Sequence, residues 1–292
     1  MTVSKVKGPA MTGAIVTPTF AGDLERTRLF VESHQRTGAH LPLVLVVQTE
    51  DRPLFRGVSG DNVVLMNTAD VLPARLEQRR RNRHRRRDPR RYLRGQPIHG
   101  WTSQQIVKLL APSVLGVDVV FCMDSDVALL APLTLADATD ANGSPLLFET
   151  RDDNALTLSW AIDSMRALGV DLAHATLRQY VHQGVLLHRE TCDRLFVALA
   201  SHTGQAWWEV FLQLGLTEYQ TYGVFAREVD VESALSPGPP LDILTYWVHP
   251  SQDLVEDLRE RLTTSRPLGV CVQSALHIAP PDYRTVLETL WR

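Results

Sequence analysis

Apolar residues in the first half of the chain fall into short buried runs separated by helical periods. Gly13–Phe20 (GAIVTPTF) predicts a strand, and Asp23–Thr37 predicts a helix, with Leu24, Leu29, Phe30 and Val31 set among charged residues. Leu41–Val47 (LPLVLVV) has no polar position, the pattern of a strand covered on both faces. Asn62–Met66 and Val117–Met123 predict two more strands. Between them Thr102–Leu115 predicts a helix capped by Thr102 or Ser103, and Leu146–Glu149 a short strand follows. The second half is looser. Helices are expected over Leu156–Leu168, Glu190–Ser201, Trp207–Leu214, Asp253–Leu262 (capped by Ser251) and Pro281–Trp291. Strands are expected over Gly184–His188, Ile243–His249 and Leu268–Val272, and Pro237–Pro240 (PGPP) reads as a turn. Strands alternating with helices predict the α/β class, with a central mostly parallel sheet flanked by helices and a nucleotide site. One domain over residues 1–292 is expected. Residues of about 12–150 would form the nucleotide-binding half, and about 151–292 would serve a second substrate.

Composition supports a packed core: 44% of the 292 residues are hydrophobic and 22% charged. No apolar run approaches the roughly 20 residues of a membrane span. The first residues read as a short tail rather than a signal peptide, because Pro9 and Pro18 interrupt the apolar stretch. Cys122, Cys192 and Cys271 have no paired spacing, which speaks against a disulfide framework and for a reducing, cytoplasmic setting.

Charge is distributed unevenly. Eleven arginines between Arg75 and Arg94 face only Glu77 and Asp88, a net of +9 against −3 for the whole chain, which leaves −12 elsewhere. Residues 75–94 are expected to be a mobile basic loop, either simply solvated or clamping an anion or a membrane surface. Only Tyr92 interrupts the run and no recognition-helix pattern surrounds it, so a nucleic-acid partner is not expected.

The sharpest chemical signal is Asp124-Ser125-Asp126, directly after the apolar run VDVVFCM. Two carboxylates one residue apart in an extended segment can point the same way. Hard oxygen ligands in that arrangement suit Mg²⁺ or Mn²⁺ holding a diphosphate, at the carboxyl end of a strand where α/β sheets bind ligands.

Several blocks in order resemble a family. AIVTPTFAGDLERTRLFVESHQ is similar to the opening of GT-A-type glycosyltransferases, and CMDSD resembles their D-x-D motif. GWTSQQIVKLLA and TEYQTYGVF resemble blocks of a sparsely characterised bacterial family of GT-A glycosyltransferases with the pattern G-W-x-x-Q-Q-x-x-K, D-S-D and E-Y-x-x-Y-G. The resemblance runs over residues 13 to 275. It implies a nucleoside-diphosphate-sugar donor, a divalent metal, a small-molecule or glycan acceptor and one catalytic domain. The arginine run is longer than that pattern implies.

Candidate residues follow. Thr17, Pro18 and Thr19 end the first strand and, by the resemblance, border the nucleotide. Asp23 either meets the nucleoside or caps the first helix. Glu50, Asp51 and Arg52 end the second strand in the same layer, where the fold places a carboxylate on the base or ribose; otherwise they form a turn. Trp101, Gln104, Gln105 and Lys108 share one helix face at i, i+3, i+4 and i+7. A sugar and a diphosphate would give that polar stripe its partners. Ser125 belongs to the D-x-D turn. Glu218, opening a helix beside Tyr219 and Tyr222, is the first candidate for the base of an inverting transfer, and Glu209 after Trp207-Trp208 the second. His249 and His277 compete as a late third metal ligand, which the resemblance implies. The Gln183-Gly184 turn before a strand resembles the acceptor-side strand of several GT-A families, which implies that His182 and Gln183 face the transferred sugar. Two rival classes remain. A nucleotidyltransferase would carry a Gly-rich phosphate loop, which TPTFAGD is not, and a non-catalytic anion or nucleic-acid binder would act through the arginine run.

Overall fold

The computed structural model describes residues 11–38, 41–82, 97–151, 155–173, 177–250 and 253–291. The chain opens with β1 (Gly13–Thr19), α1 (Leu24–Arg36), β2 (Leu43–Val47), β3 (Val63–Asn67), α2 (Thr68–Val71) and α3 (Ala74–Asn82). Next come α4 (Gly100–Leu115), β4 (Val119–Cys122), β5 (Val127–Leu129), β6 (Leu146–Phe148), α5 (Ala155–Ala167) and β7 (Val185–His188). It continues through α6 (Arg189–Thr203), α7 (Trp207–Leu214), α8 (Glu218–Val224), β8 (Ser236–Gly238) and β9 (Ile243–Tyr246). The last elements are α9 (Leu254–Thr264), β10 (Gly269–Val272) and α10 (Pro280–Glu288).

The protein is an α/β molecule with a central, mostly parallel sheet flanked by helices. The sheet has the order β3-β2-β1-β4-β7, and only β7 runs antiparallel to its neighbour. Its inner strands β1, β2 and β4 are buried on both faces because each face meets its own core. Ala14, Val16, Val44, Val46, Val120 and Cys122 pack into one cluster with residues of α4, α6, α7 and α8. The alternate residues Ile15, Leu43, Leu45, Val47, Val119 and Phe121 pack into a second with Phe30 and Val31 of α1. A second sheet, β5-β10-β9, lies beyond β4 and carries a third apolar cluster with α9 and α10. Strand order reverses about β1, so the carboxyl ends of β1 and β4 diverge and leave a crevice between their loops. Among the described residues no helix is long and apolar enough to cross a membrane.

Several local expectations need correction. The cap of α4 is His99, whose ring accepts the Trp101 N–H at 3.3 Å, not Thr102 or Ser103. The cap of α9 is Asp253, which accepts from Val255 N and Glu256 N; Ser251 lies outside the described residues. Part of the PGPP turn is strand β8, paired in parallel with β6. Residues 75–82 are not a loop. They form most of α3, in which Arg79 and Arg80 are buried. The Arg80 guanidinium bonds Glu77 at 2.7 and 2.8 Å and Glu50 at 2.7 Å, and Arg79 bonds Glu209 at 3.0 Å. Residues 83–94, the rest of the basic segment, lie outside the described residues.

Candidate active site

The loops after β1, β2 and β4 and the first turns of α4 enclose two adjoining cavities. The larger, of about 760 Å³, is lined by Phe20, Gln48, Asp51, Arg80, His99 and Trp101 among others. The smaller, of about 260 Å³, holds Asp124, Ser125 and Asp126 together with Asp23, Lys108 and Glu218. Trp101 and Gln104 line both and so mark where one opens into the other.

Strand alternation decides what the TPT segment can do. Thr17 and Thr19 share the Ile15 face and are buried, and the Thr19 hydroxyl meets the Thr27 hydroxyl of α1 at 2.8 Å. Neither lines either of these two cavities, whereas Pro18 lines the smaller. Thr19 is thus tied to α1, whereas the buried Thr17 hydroxyl has no hydrogen-bond partner among the described residues. Asp23 stands at the N-terminus of α1 but makes no side-chain cap. It turns into the smaller cavity instead, where burial raises its pKa even though Ser125 hydrogen-bonds to it. Asp51 lines the larger cavity and accepts the Ala21 N–H at 2.8 Å, tying the β2 loop to the β1 loop. Glu50 points to Arg80 and Arg81 instead.

Trp101, Gln104, Gln105 and Lys108 of α4 all line the smaller cavity. Trp101 is half exposed and does not pack the helix down. Lys108 is buried and forms the centre of the site. Its ammonium donates to Asp124 Oδ1 at 2.9 Å and Glu218 Oε1 at 3.0 Å and sits 4.6 Å from the centre of the Tyr219 ring. Burial alone would lower its pKa, but the charges of Asp124 and Glu218 outweigh burial and hold it well above the usual lysine value. Burial would likewise raise Asp124, yet Lys108 and the Gln183 amide, 3.1 Å from Oδ2, keep its pKa below the usual carboxylate value. Gln183 thus positions Asp124, and the His182 ring bonds the Gln179 carbonyl at 3.2 Å. Asp126 accepts the Ser274 N–H at 3.0 Å and the Cys271 thiol at 3.3 Å. Burial, the Asp124 charge and the Asp23 charge push its pKa up to about 6.

The other candidates fall elsewhere. Glu209 lines neither cavity and is paired with Arg79, joining α7 to α3. Trp207 is core, stacked on Phe196 at 4.2 Å. His249 is exposed on a separate cavity beside Asp253, and His277 is exposed at a left-handed turn with φ of 56°. Neither joins the aspartates, and among the described residues no three His, Cys, Asp or Glu side chains are grouped to hold a metal ion. The reason is β10: its end delivers Ser274 and Gln273 to Asp126, and the chain has turned away before His277. Sequence reading missed Gln48, Trp160, Thr217, Trp247, Gln273 and Ser274 as lining residues, whereas Arg80 of the basic segment does line the larger cavity. Only Gln273-Ser274 carried a signal, since they follow an apolar strand as the D-S-D triplet does.

The model of a family of unknown function, DUF6492, matches residues 12–291, and the chain belongs to that family. No curated protein matches the sequence. Among solved structures, the fold is similar to that of the galactosyltransferase LgtC in complex with donor and acceptor sugar analogues. That match has 14% identity and a TM-score of 0.45 and covers 95% of each chain. It is also similar to the bifunctional glycosyltransferase WbbM in its apo form, at 10% identity and a TM-score of 0.47. There the match covers 98% of this chain and 50% of that one.

Proposed function

We propose that this member of the DUF6492 family is a metal-dependent glycosyltransferase that moves a sugar from a nucleoside-diphosphate sugar to a hydroxyl acceptor. One observation carries the reading: Asp124, Asp126 and Glu218 line a small cavity that opens, past Trp101 and Gln104, into a larger one at the ends of β1 and β2. A nucleoside suits the larger cavity, where Asp51, Gln48 and the aromatic faces of Phe20 and Trp101 stand. Its diphosphate would then reach the aspartates.

The donor set fits a hard divalent cation. Two carboxylates face the cavity; burial first, and then the neighbouring Asp124 and Asp23 charges, raise the pKa of Asp126, and a bound cation would offset both. Asp124 and Asp126 would hold Mg²⁺ or Mn²⁺, with the remaining positions left to phosphate oxygens and water, as Mg²⁺ sites commonly are. When bound, the cation supplies positive charge to the departing diphosphate. Lys108 adds a second fixed positive charge beside Asp124. Gln104 and Trp101 orient the donor. Glu218 takes the acceptor's hydroxyl proton as that oxygen bonds to the anomeric carbon. The anomeric carbon–oxygen bond to phosphate breaks with its electron pair leaving on the diphosphate, and attack from the face opposite the diphosphate inverts the anomeric carbon.

The test is a thermal-shift panel of nucleoside diphosphates and nucleotide sugars with and without Mn²⁺. A ligand at 100 times its dissociation constant stabilises by about 2.7 kcal/mol. At least one nucleotide sugar should raise the melting temperature only with Mn²⁺, and Asp124→Asn should remove the response. A panel without any shift, or a shift unchanged by chelator and by Asp124→Asn, overturns the reading.

A further inference from the structure

Three of the six tryptophans, Trp101, Trp160 and Trp247, line the cavity that holds Asp124, Asp126 and Glu218. They arrive from separate elements: the first turn of α4, α5, and the segment after β9. Trp101 is 50% exposed and Trp247 56%. Large apolar faces left in water around one polar cavity mark a binding site rather than core. Trp101 also lines the larger cavity, whereas Trp160 and Trp247 line only the smaller. The last two therefore stand outside the space assigned to the nucleoside.

The floor of the same cavity holds unpaired polar atoms. Gln105 is 1% exposed; its Oε1 accepts the Glu218 N–H at 3.1 Å, and its Nε2 has no partner among the described residues. Thr217 is 3% exposed, and its Oγ1 likewise has none. Both side chains flank Glu218, and buried donors without partners are rare in folded proteins.

We propose that Trp160 and Trp247 are the platform for a hexopyranose acceptor ring, and that Gln105 and Thr217 seat the hydroxyl it presents to Glu218. The proposal rests on the glycosyl-transfer reading and names its acceptor class. A pyranose has an apolar C–H face and a rim of hydroxyls. Indole faces meet the first, and the amide, hydroxyl and carboxylate groups meet the second. An alkyl chain would satisfy the indoles but leave Gln105 and Thr217 unpaired.

Saturation-transfer NMR and tryptophan fluorescence on the full chain test this. The probes are methyl α- and β-glucopyranosides, galactopyranosides and mannopyranosides, with octanol and a serine peptide as comparators, each with and without Mn²⁺ and a nucleoside diphosphate. At least one glycoside should saturate the wild type. Trp247→Ala should weaken it about tenfold, and Trp160→Ala similarly, while Trp160→Phe, which keeps a packed ring, should recover most of the loss. Thr217→Val and Gln105→Leu should weaken the parent glycoside but not its analogue lacking the presented hydroxyl. Melting temperatures establish that each variant is folded. Equal glycoside affinity in folded Trp247→Ala, or binding of octanol or the peptide with no glycoside, overturns the proposal. Nucleoside diphosphate binding with Mn²⁺ but no glycoside binding sinks the platform and leaves the transfer reading. Trp-dependent glycoside binding with no nucleotide-sugar response does the reverse.

Discussion

At Lys108 one buried ammonium is shared between the two carboxylates to which we assign separate tasks, Asp124 at the metal and Glu218 at the acceptor. Removing it would leave both uncompensated. Lys108→Met should destabilise the fold by about 3 kcal/mol, the low end for breaking a buried pair, because the Asp124 side chain is 40% exposed. Adding Glu218→Gln should return part of that loss in denaturant unfolding; a double variant as unstable as the sum of the singles would mean the charges are not coupled. Glu218→Gln alone keeps size and hydrogen bonding but cannot take a proton. Its turnover should fall by about 10²–10⁴ with donor affinity nearly unchanged. Asp126 gives a pH signature. Its carboxyl rises from 3.8 to about 6 on folding, so the folded state holds a proton that the unfolded state has released between those values. The associated stability is present below pH 4 and is lost as pH rises toward 6, by up to about 3 kcal/mol. Melting temperatures from pH 4 to 7 should therefore fall for the wild type relative to Asp126→Asn, and level off above pH 6. A parallel pair of curves would show that Asp126 is not perturbed.

The elements explain why short sequence blocks carry more than their own chemistry. In the EYQTYG block, Glu218 lines the site while Tyr222, buried in α8, accepts the His188 N–H at 3.1 Å. Gly223 is the block's least obvious member: a Cβ there would come within 2.0 Å of the Tyr180 ring. Tyr180 leads to Gln183, whose amide holds Asp124 at 3.1 Å. Gly223→Ala should therefore cost about 1–3 kcal/mol by overpacking. It should also weaken Mn²⁺-dependent donor binding although the residue touches no ligand. Normal donor affinity in a destabilised Gly223→Ala protein would separate the packing from the site. The α4 face was legible in the sequence because four polar and aromatic residues at helical spacing imply a single stripe. Helix α3 was not. An arginine-dense segment reads as solvated until its partners are known, and while Glu77 lies within it, Glu50 and Glu209 come from two distant places in the chain.

Across the whole molecule, the central sheet was legible because strands apolar on both faces require two cores, and the two clusters divide at alternate residues of β1, β2 and β4. The position of the D-S-D triplet followed from the same pattern, since it ends the strand beside β1 at the reversal of strand order. The second sheet was not legible. Its β5 has three residues and pairs antiparallel with a strand some 140 residues later in the chain, a partnership no local period announces. That gap misplaced the late histidines, for β9 and β10 bring Trp247, Gln273 and Ser274 to the cavity and leave His249 and His277 outside it. The two arrangements predict different footprints in hydrogen exchange. If a nucleoside diphosphate with Mn²⁺ spans both cavities, protection should appear together in 20–22, 48–51, 98–105 and 124–126, and at 273–274 through the Ser274 N–H held by Asp126. Residues 249, 250 and 253–255, which line a separate cavity, should exchange as in the free protein. Protection confined to 20–22 and 48–51 would describe a nucleoside site without a diphosphate contact. Protection centred on His249 would restore a histidine to the metal site and require the β9–α9 connection to close over the aspartates.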